Sequence, residues 1–288
     1  MIVRTVHFIR AVSFCVVLLA GLGGSGLLGC TGPIPPSVER DAARETLNWV
    51  DTRYGVIRDP VLDAFLRRVV ARLDSAIPVA QREHESAAAL EGDLIRYPWQ
   101  VFVTKQPTIN AFSIGGGIML ISQTLVENAT TEAELAAVIA HEMSHQLLGH
   151  TREALSNVLG QQAHSTPENS APKNSAPAAV FSQQRELEAD SLSLKLLSIA
   201  RYDTRHALYA LMIGHSPEVG SPSIHRQLRA DVASQSRFPQ TGFVHPIDPG
   251  QRERLARIYQ AISECPGALP GTQTSREFQR VRARLEAR

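Results

Sequence analysis

The sequence predicts a mainly helical α+β fold in which a small β-sheet flanks two helices able to share a metal ion. Three observations predict it. An apolar helical run, Glu134-Leu135-Ala136-Ala137-Val138-Ile139-Ala140, leads directly into His141-Glu142-Met143-Ser144-His145. A second helical stretch, Arg185-Glu186-Leu187-Glu188-Ala189-Asp190, carries two carboxylates four residues apart. Between Trp99 and Ser122 the pattern becomes alternating and rich in β-formers, broken by Gly115-Gly116-Gly117.

The chain has 288 residues, 43% of them hydrophobic, and a formal net charge of +1, enough for one principal domain with appendages. The near-neutral balance lacks the basic footprint of a nucleic-acid binder, so no nucleic acid is expected as partner. The cysteines, Cys15, Cys30 and Cys265, form no convincing disulfide framework, and Cys265 has no assignable role.

Arg4 and Arg10 precede an apolar core from Ala11 to Ala20, which reads as an export signal over residues 1–29. Leu27-Leu28-Gly29-Cys30 resembles a bacterial lipobox, with cleavage before Cys30 and lipid on its sulfur. An uncleaved membrane span is the alternative, weakened by five glycines between Gly21 and Gly29. Thr31 after the cysteine resembles outer-membrane sorting, which would hold the protein at the membrane through Cys30 and facing the periplasm. Residues 30–53 form a Pro-rich tether followed by a helix over Val38 to Thr52.

Asp59-Pro60 opens the next helix, with proline in the first turn where its missing N–H does no harm. Leu62, Phe65, Leu66, Val69, Val70 and Leu73 give that helix a broad apolar face. Strands are expected over Trp99 to Thr104, from Ile109 to Phe112 and over Ile118 to Ser122. Thr131 and Glu134 make a capping box for the helix that runs past His145 to about Leu148.

At 100° per residue, His141 and His145 project from one helix face a turn apart and can share one Zn²⁺. Glu142 beside them can take a proton from a water attacking a carbonyl. Continuing the helix swings His150 about 140° from His145, so it reads as structural. In the second stretch one of Glu186 and Asp190 can bind the metal while the other orients a ligand histidine, and Glu188 is expected to face away.

HEMSH followed by Glu186-x-x-Ala189-Asp190 resembles the M48 metallopeptidases, the gluzincin group that includes Ste24- and HtpX-like proteases. Asn110-Ala111-Phe112 with Gly115-Gly116-Gly117 resembles the strand that precedes the zinc helix there, and the likeness covers roughly Tyr54 to Tyr202. The resemblance implies a zincin-like metalloprotease domain with one Zn²⁺ held by His141, His145 and Glu186, Glu142 as general base and Asp190 behind a ligand histidine. It also implies that Asn110 and Ala111 form an edge that binds extended protein or peptide substrate, against a purely structural hairpin as the alternative. His245-Pro246 with Arg252 resembles a family element that places a histidine over the zinc, as an oxyanion partner or fourth ligand. The spacing to Arg252 is one residue longer than in the family, and His225 with Arg229 is the rival.

Residues 160–180 are low in complexity and read either as a flap over the cleft or as a tolerated insertion. Phe181 to Ala200 is the second metal-bearing helix, Thr204 to Ile213 another, and Gly250 to Ser263 and Ser275 to Arg288 closing helices. The peptidase core is thus expected over residues 54–215, with a closing segment over 216–288. The resemblance and the export signal together imply a zinc endopeptidase of misfolded or unassembled cell-envelope proteins. The other readings are an envelope assembly factor, with assembly partners and a latent or structural zinc, and a plain lipoprotein scaffold.

Overall fold

At the centre lies one helix, Glu132–Leu147, buried along its whole length. A helix buried on every side must be wrapped on every side, and the chain supplies a sheet and a set of helices to do so. The computed structural model describes residues 34–83, 97–106, 110–163, 181–207, 257, 260 and 274–287.

In chain order these residues form α1 (Pro36–Tyr54), β1 (Val56–Ile57), α2 (Pro60–Asp74), α3 (Ile77–Glu83), β2 (Gln100–Thr104), β3 (Ala111–Gly115), β4 (Ile118–Ser122) and α4 (Gln123–Asn128). The central helix is α5, followed by α6 (His150–Ala163), α7 (Gln183–Ile199), a 3₁₀ turn (Thr204–His206) and α8 (Arg276–Glu286). The mainly helical α+β expectation holds. The helix expected over Thr204 to Ile213 opens with the 3₁₀ turn and is α-helical at Ala207, and its remainder lies outside the described residues.

The sheet order is β1-β2-β4-β3, with β2 parallel to β4 and β3 antiparallel to β4. All five residues of β4 are buried, as befits the strand between two neighbours and two covered faces. Ala43 and Val50 of α1 pack with Ile118 and Leu120 on one face. Met119 and Ile121 join α2 and α5 in the main core on the other. The helix expected after the Pro-rich tether is therefore packed against the sheet.

Helix starts follow their sequence signals. Asp59 caps α2 by accepting from the Val61 and Leu62 amides at 2.9 and 3.2 Å. Ser122 ends β4 and caps α4 by accepting from Leu125 N–H at 3.1 Å. Phe278, Val281 and Leu285 of α8 sit in the main core, where the Phe278 ring lies 5.7 Å from that of Phe65. Across the far end of α7, Arg72 of α2 donates to the carbonyls of Ala200 and Arg201 at 2.6 and 2.8 Å. Its guanidinium also stacks on Tyr202 at 4.0 Å.

Candidate metal centre

Two helix starts fix the site. On α5, Thr131 Oγ accepts from Glu134 N–H at 3.1 Å. The Glu134 carboxylate reaches back to Thr130, accepting from its N–H at 2.6 Å and its hydroxyl at 2.8 Å, one residue earlier than a capping box requires. On α7, Ser182 Oγ accepts from Arg185 N–H at 3.4 Å. The two helices pack side by side, so residues 141, 145, 186 and 190 meet along one seam.

At that seam His141 Nε2 and His145 Nε2 lie 3.0 Å apart. Glu186 brings one carboxylate oxygen to 3.5 Å from His141 Nε2 and the other to 3.6 Å from His145 Nε2. Zinc–ligand bonds of about 2.0–2.1 Å at tetrahedral angles place donor atoms roughly 3.3 Å apart. The His141–His145 contact and the two Glu186 contacts, each made by a different carboxylate oxygen, lie close to that separation, so the donor set suits a tetrahedral ion. Among the described residues, His141, His145 and Glu186 are the group that could hold a metal.

Asp190 Oδ1 stands 3.0 Å from His141 Nδ1, on the side of the ring away from Glu186. Burial pushes the His141 imidazole toward neutrality, but its hydrogen bonds to Asp190 and Glu186 outweigh that and lift it to about 9. Glu142 follows His141 on α5 and is 6% exposed, so its carboxylate is held inside the cleft wall.

His150 is placed differently from the sequence expectation. The angular argument carried α5 through residue 150, but Gly149 takes φ +76° and the chain turns into α6. That turn brings His150 Nδ1 to 3.1 Å from His145 Nδ1. Glu188, expected to face away, joins this surrounding instead: its Oε2 accepts from His150 Nε2 at 3.2 Å. Burial lowers the His150 pKa against the pull of Glu188. Phe181 completes the enclosure, stacking on His145 with centroids 4.1 Å apart and planes 18° apart.

The β3 edge runs over α5. Asn110 donates its N–H to Ser122 Oγ at 3.0 Å and accepts from Ser122 N–H at 2.8 Å, so its backbone turns inward to β4. Ala111, opposite Ile121, then directs its own N–H and C=O to the outer edge by the alternation of an antiparallel ladder. Glu39 of α1 holds the following turn. Its buried carboxylate accepts from Gly116 N–H at 3.0 Å and from Arg152 Nε at 2.8 Å. Cys30, His225, His245, Arg252, Cys265 and residues 164–180 lie outside the described residues.

Two histidines of an HExxH helix joined by a glutamate from a second helix are the donor set of the His₂Glu metallopeptidases. Residues 78–261 match Peptidase family M48, and the chain belongs to that metallopeptidase family, whose members are metal-dependent and usually use zinc. It is 31% identical over 145 residues to the mitochondrial metalloendopeptidase OMA1 of Arabidopsis thaliana, covering 46% of this chain and 29% of the relative. With OMA1 of Schizosaccharomyces pombe the identity is 30%, over 38% of this chain and 35% of that protein. The beta-barrel assembly-enhancing protease of Escherichia coli is 22% identical over 80% of this chain and 44% of its own length. The chain thus spans between 29% and 44% of the length of these relatives.

His150, Glu188, Phe181, Gln146 and Glu39 all shape this region and were not among the residues singled out for it from sequence. A repeated signal existed for His150, whose glycine neighbour marks a helix end and so a change of direction. Glu39 carried none, since its partners Tyr97, Gly116 and Arg152 all lie more than 50 positions away.

Proposed function

We propose that this chain is a zinc-dependent endopeptidase acting on unfolded or unassembled proteins of a bacterial envelope, held to the membrane by lipid on Cys30. The observation that carries the hydrolytic reading is the convergence of His141, His145 and Glu186 at 3.0–3.6 Å, with Glu142 beside them on the same helix. Zinc held there supplies Lewis acidity toward a water and a peptide carbonyl.

The protein's own groups do the rest. Glu142 accepts the proton of the attacking water and returns it to the amide nitrogen as the C–N bond breaks. Asp190 accepts from His141 Nδ1–H, which leaves Nε2 bare for the metal. An extended substrate adds to the free edge of β3 through the N–H and C=O of Ala111, with Asn110 holding that edge to β4. His245, from the closing segment, would stabilise the oxyanion or occupy the fourth metal position.

The envelope assignment rests on the leader and the Leu27-Leu28-Gly29-Cys30 pattern. The relative named for enhancing β-barrel assembly gives the substrate class indirect support. Glu142→Gln in the purified protein is expected to retain zinc and lose turnover of an unfolded protein substrate by about 10²–10⁴-fold or more. Zinc bound with no cleavage by the unaltered chain would instead select an assembly factor with a latent centre.

A further inference from the structure

We propose that His150 is a positioning residue for the metal ligand His145, its tautomer fixed by Glu188. This rests on the reading of His141, His145 and Glu186 as the metal donors. The chain of contacts has a single consistent direction. A carboxylate only accepts, so His150 Nε2 carries the proton given to Glu188 Oε2 at 3.2 Å. In the neutral ring Nδ1 is then bare and can only accept, and the atom facing it at 3.1 Å is His145 Nδ1. His145 therefore carries its proton on Nδ1, and its lone pair sits on Nε2, the atom that faces His141 and Glu186.

The two ligand histidines are thus served by different devices. His141 has the direct carboxylate of Asp190 at 3.0 Å, and His145 has a carboxylate acting through a second imidazole. Both devices place negative charge behind the ring and make it a better donor. Glu188 is itself steadied, because its other oxygen accepts from Gln184 Nε2 at 2.9 Å. His150 is 5% exposed, and the Phe181 ring lies 5.8 Å away, so water is poorly placed to replace it. The bend at Gly149, with φ +76°, is what returns His150 to His145.

Zinc affinity of the full chain, measured by competition with a chromogenic chelator, tests this. His145→Ala is the control. If it keeps zinc at full affinity, the metal reading itself fails. With that control lost as expected, His150→Phe, which fills the space of the ring and offers no acceptor, should weaken zinc by ~10–100-fold. His150→Asn, whose carbonyl falls near the position of Nδ1, should stay within ~3-fold of the unaltered chain.

A merely structural histidine predicts the reverse order, because the apolar ring suits a buried site better than an amide. Equal zinc affinity in His150→Phe and the unaltered chain overturns the inference, as does tighter binding by Phe than by Asn. Should His150→Phe fail to fold, Glu188→Ala decides, because its side chain is 34% exposed and its removal opens no cavity. A loss of ~3-fold or more in that variant supports the relay, and an unchanged affinity overturns it.

Discussion

The side-chain oxygen of Gln146 accepts a 2.7 Å hydrogen bond from the Gly117 amide, and its nitrogen donates to the Ile118 carbonyl at 3.2 Å. One residue beyond His145, α5 is therefore bolted to the β3–β4 turn. Gly117 has φ +86°, and a Cβ there would meet the Pro98 carbonyl oxygen at 3.0 Å, so the turn can take no other residue without strain. This pair of bonds ties the proposed substrate edge on β3 to the helix that carries the proposed metal donors.

Gln146→Ala leaves a buried N–H and a buried C=O without their partner. The expected loss is about 3 kcal/mol of stability, read from the urea midpoint at constant slope. KM for an extended peptide is expected to rise more than kcat falls, because the donors on α5 keep their own partners while the edge loosens. Unchanged KM in a folded Gln146→Ala protein would disconnect the turn from substrate binding.

What the sequence made legible here is whatever depends on local period. Four-residue spacing put His141 with His145 and Glu186 with Asp190 on shared helix faces, the choice of Glu186 as the proposed donor needed the family resemblance, and the Asp59-Pro60 start and the strand over residues 100–104 emerged close to where their patterns end. Directions past a helix end were not legible. His150 was assigned by continuing a rotation that Gly149 interrupts, so its angle was computed for a helix that no longer exists at that point. Helix α6 was missed because Gln, Ser and Ala residues carry little apolar period, and it is held by contacts such as Arg152 to Glu39. Gln146 looked like one more polar residue at the end of a helix. Its role depends on Gly117 and Ile118, nearly 30 residues earlier, and no periodicity encodes such a meeting.

Asp59 joins two segments that are far apart in the chain, capping α2 with one oxygen and accepting from Arg284 Nε of α8 with the other at 2.6 Å. The Arg284 hydrogen bond, with help from the Leu62 and Val61 amides, outweighs burial and holds this carboxyl at about 2, against an ordinary 3.8. A folded-state value below the unfolded one stabilises the protein fully above the unfolded pKa, and that stabilisation fades as pH falls from about 4 toward 2. Asp59→Asn keeps a competent cap and loses the charge. The variant should therefore be less stable than the unaltered chain at pH 6, with the gap closing toward pH 2. Parallel urea-midpoint curves across that range would remove Asp59 as the acid-sensitive tie of α8.

Phe181 lies flat on the His145 ring, 4.1 Å between centroids, at the point where the chain enters α7. The stack does two things. It limits rotation of the imidazole about its own bond, and it shields one face of this proposed metal donor from water. An aromatic pair of this kind contributes roughly 1 kcal/mol beyond the area it buries, which corresponds to about a fivefold effect on a binding constant. Phe181→Ala is accordingly expected to release zinc to excess chelator about fivefold faster, while His150 and Glu188 still hold the tautomer of His145. Phe181→Leu restores apolar cover without the parallel ring. A release rate for Leu near that of the unaltered chain would assign the effect to exclusion of water, and one near that of Ala would assign it to the stack itself. Identical release from all three proteins would show that the ring bears on the protein fold alone and not on the metal.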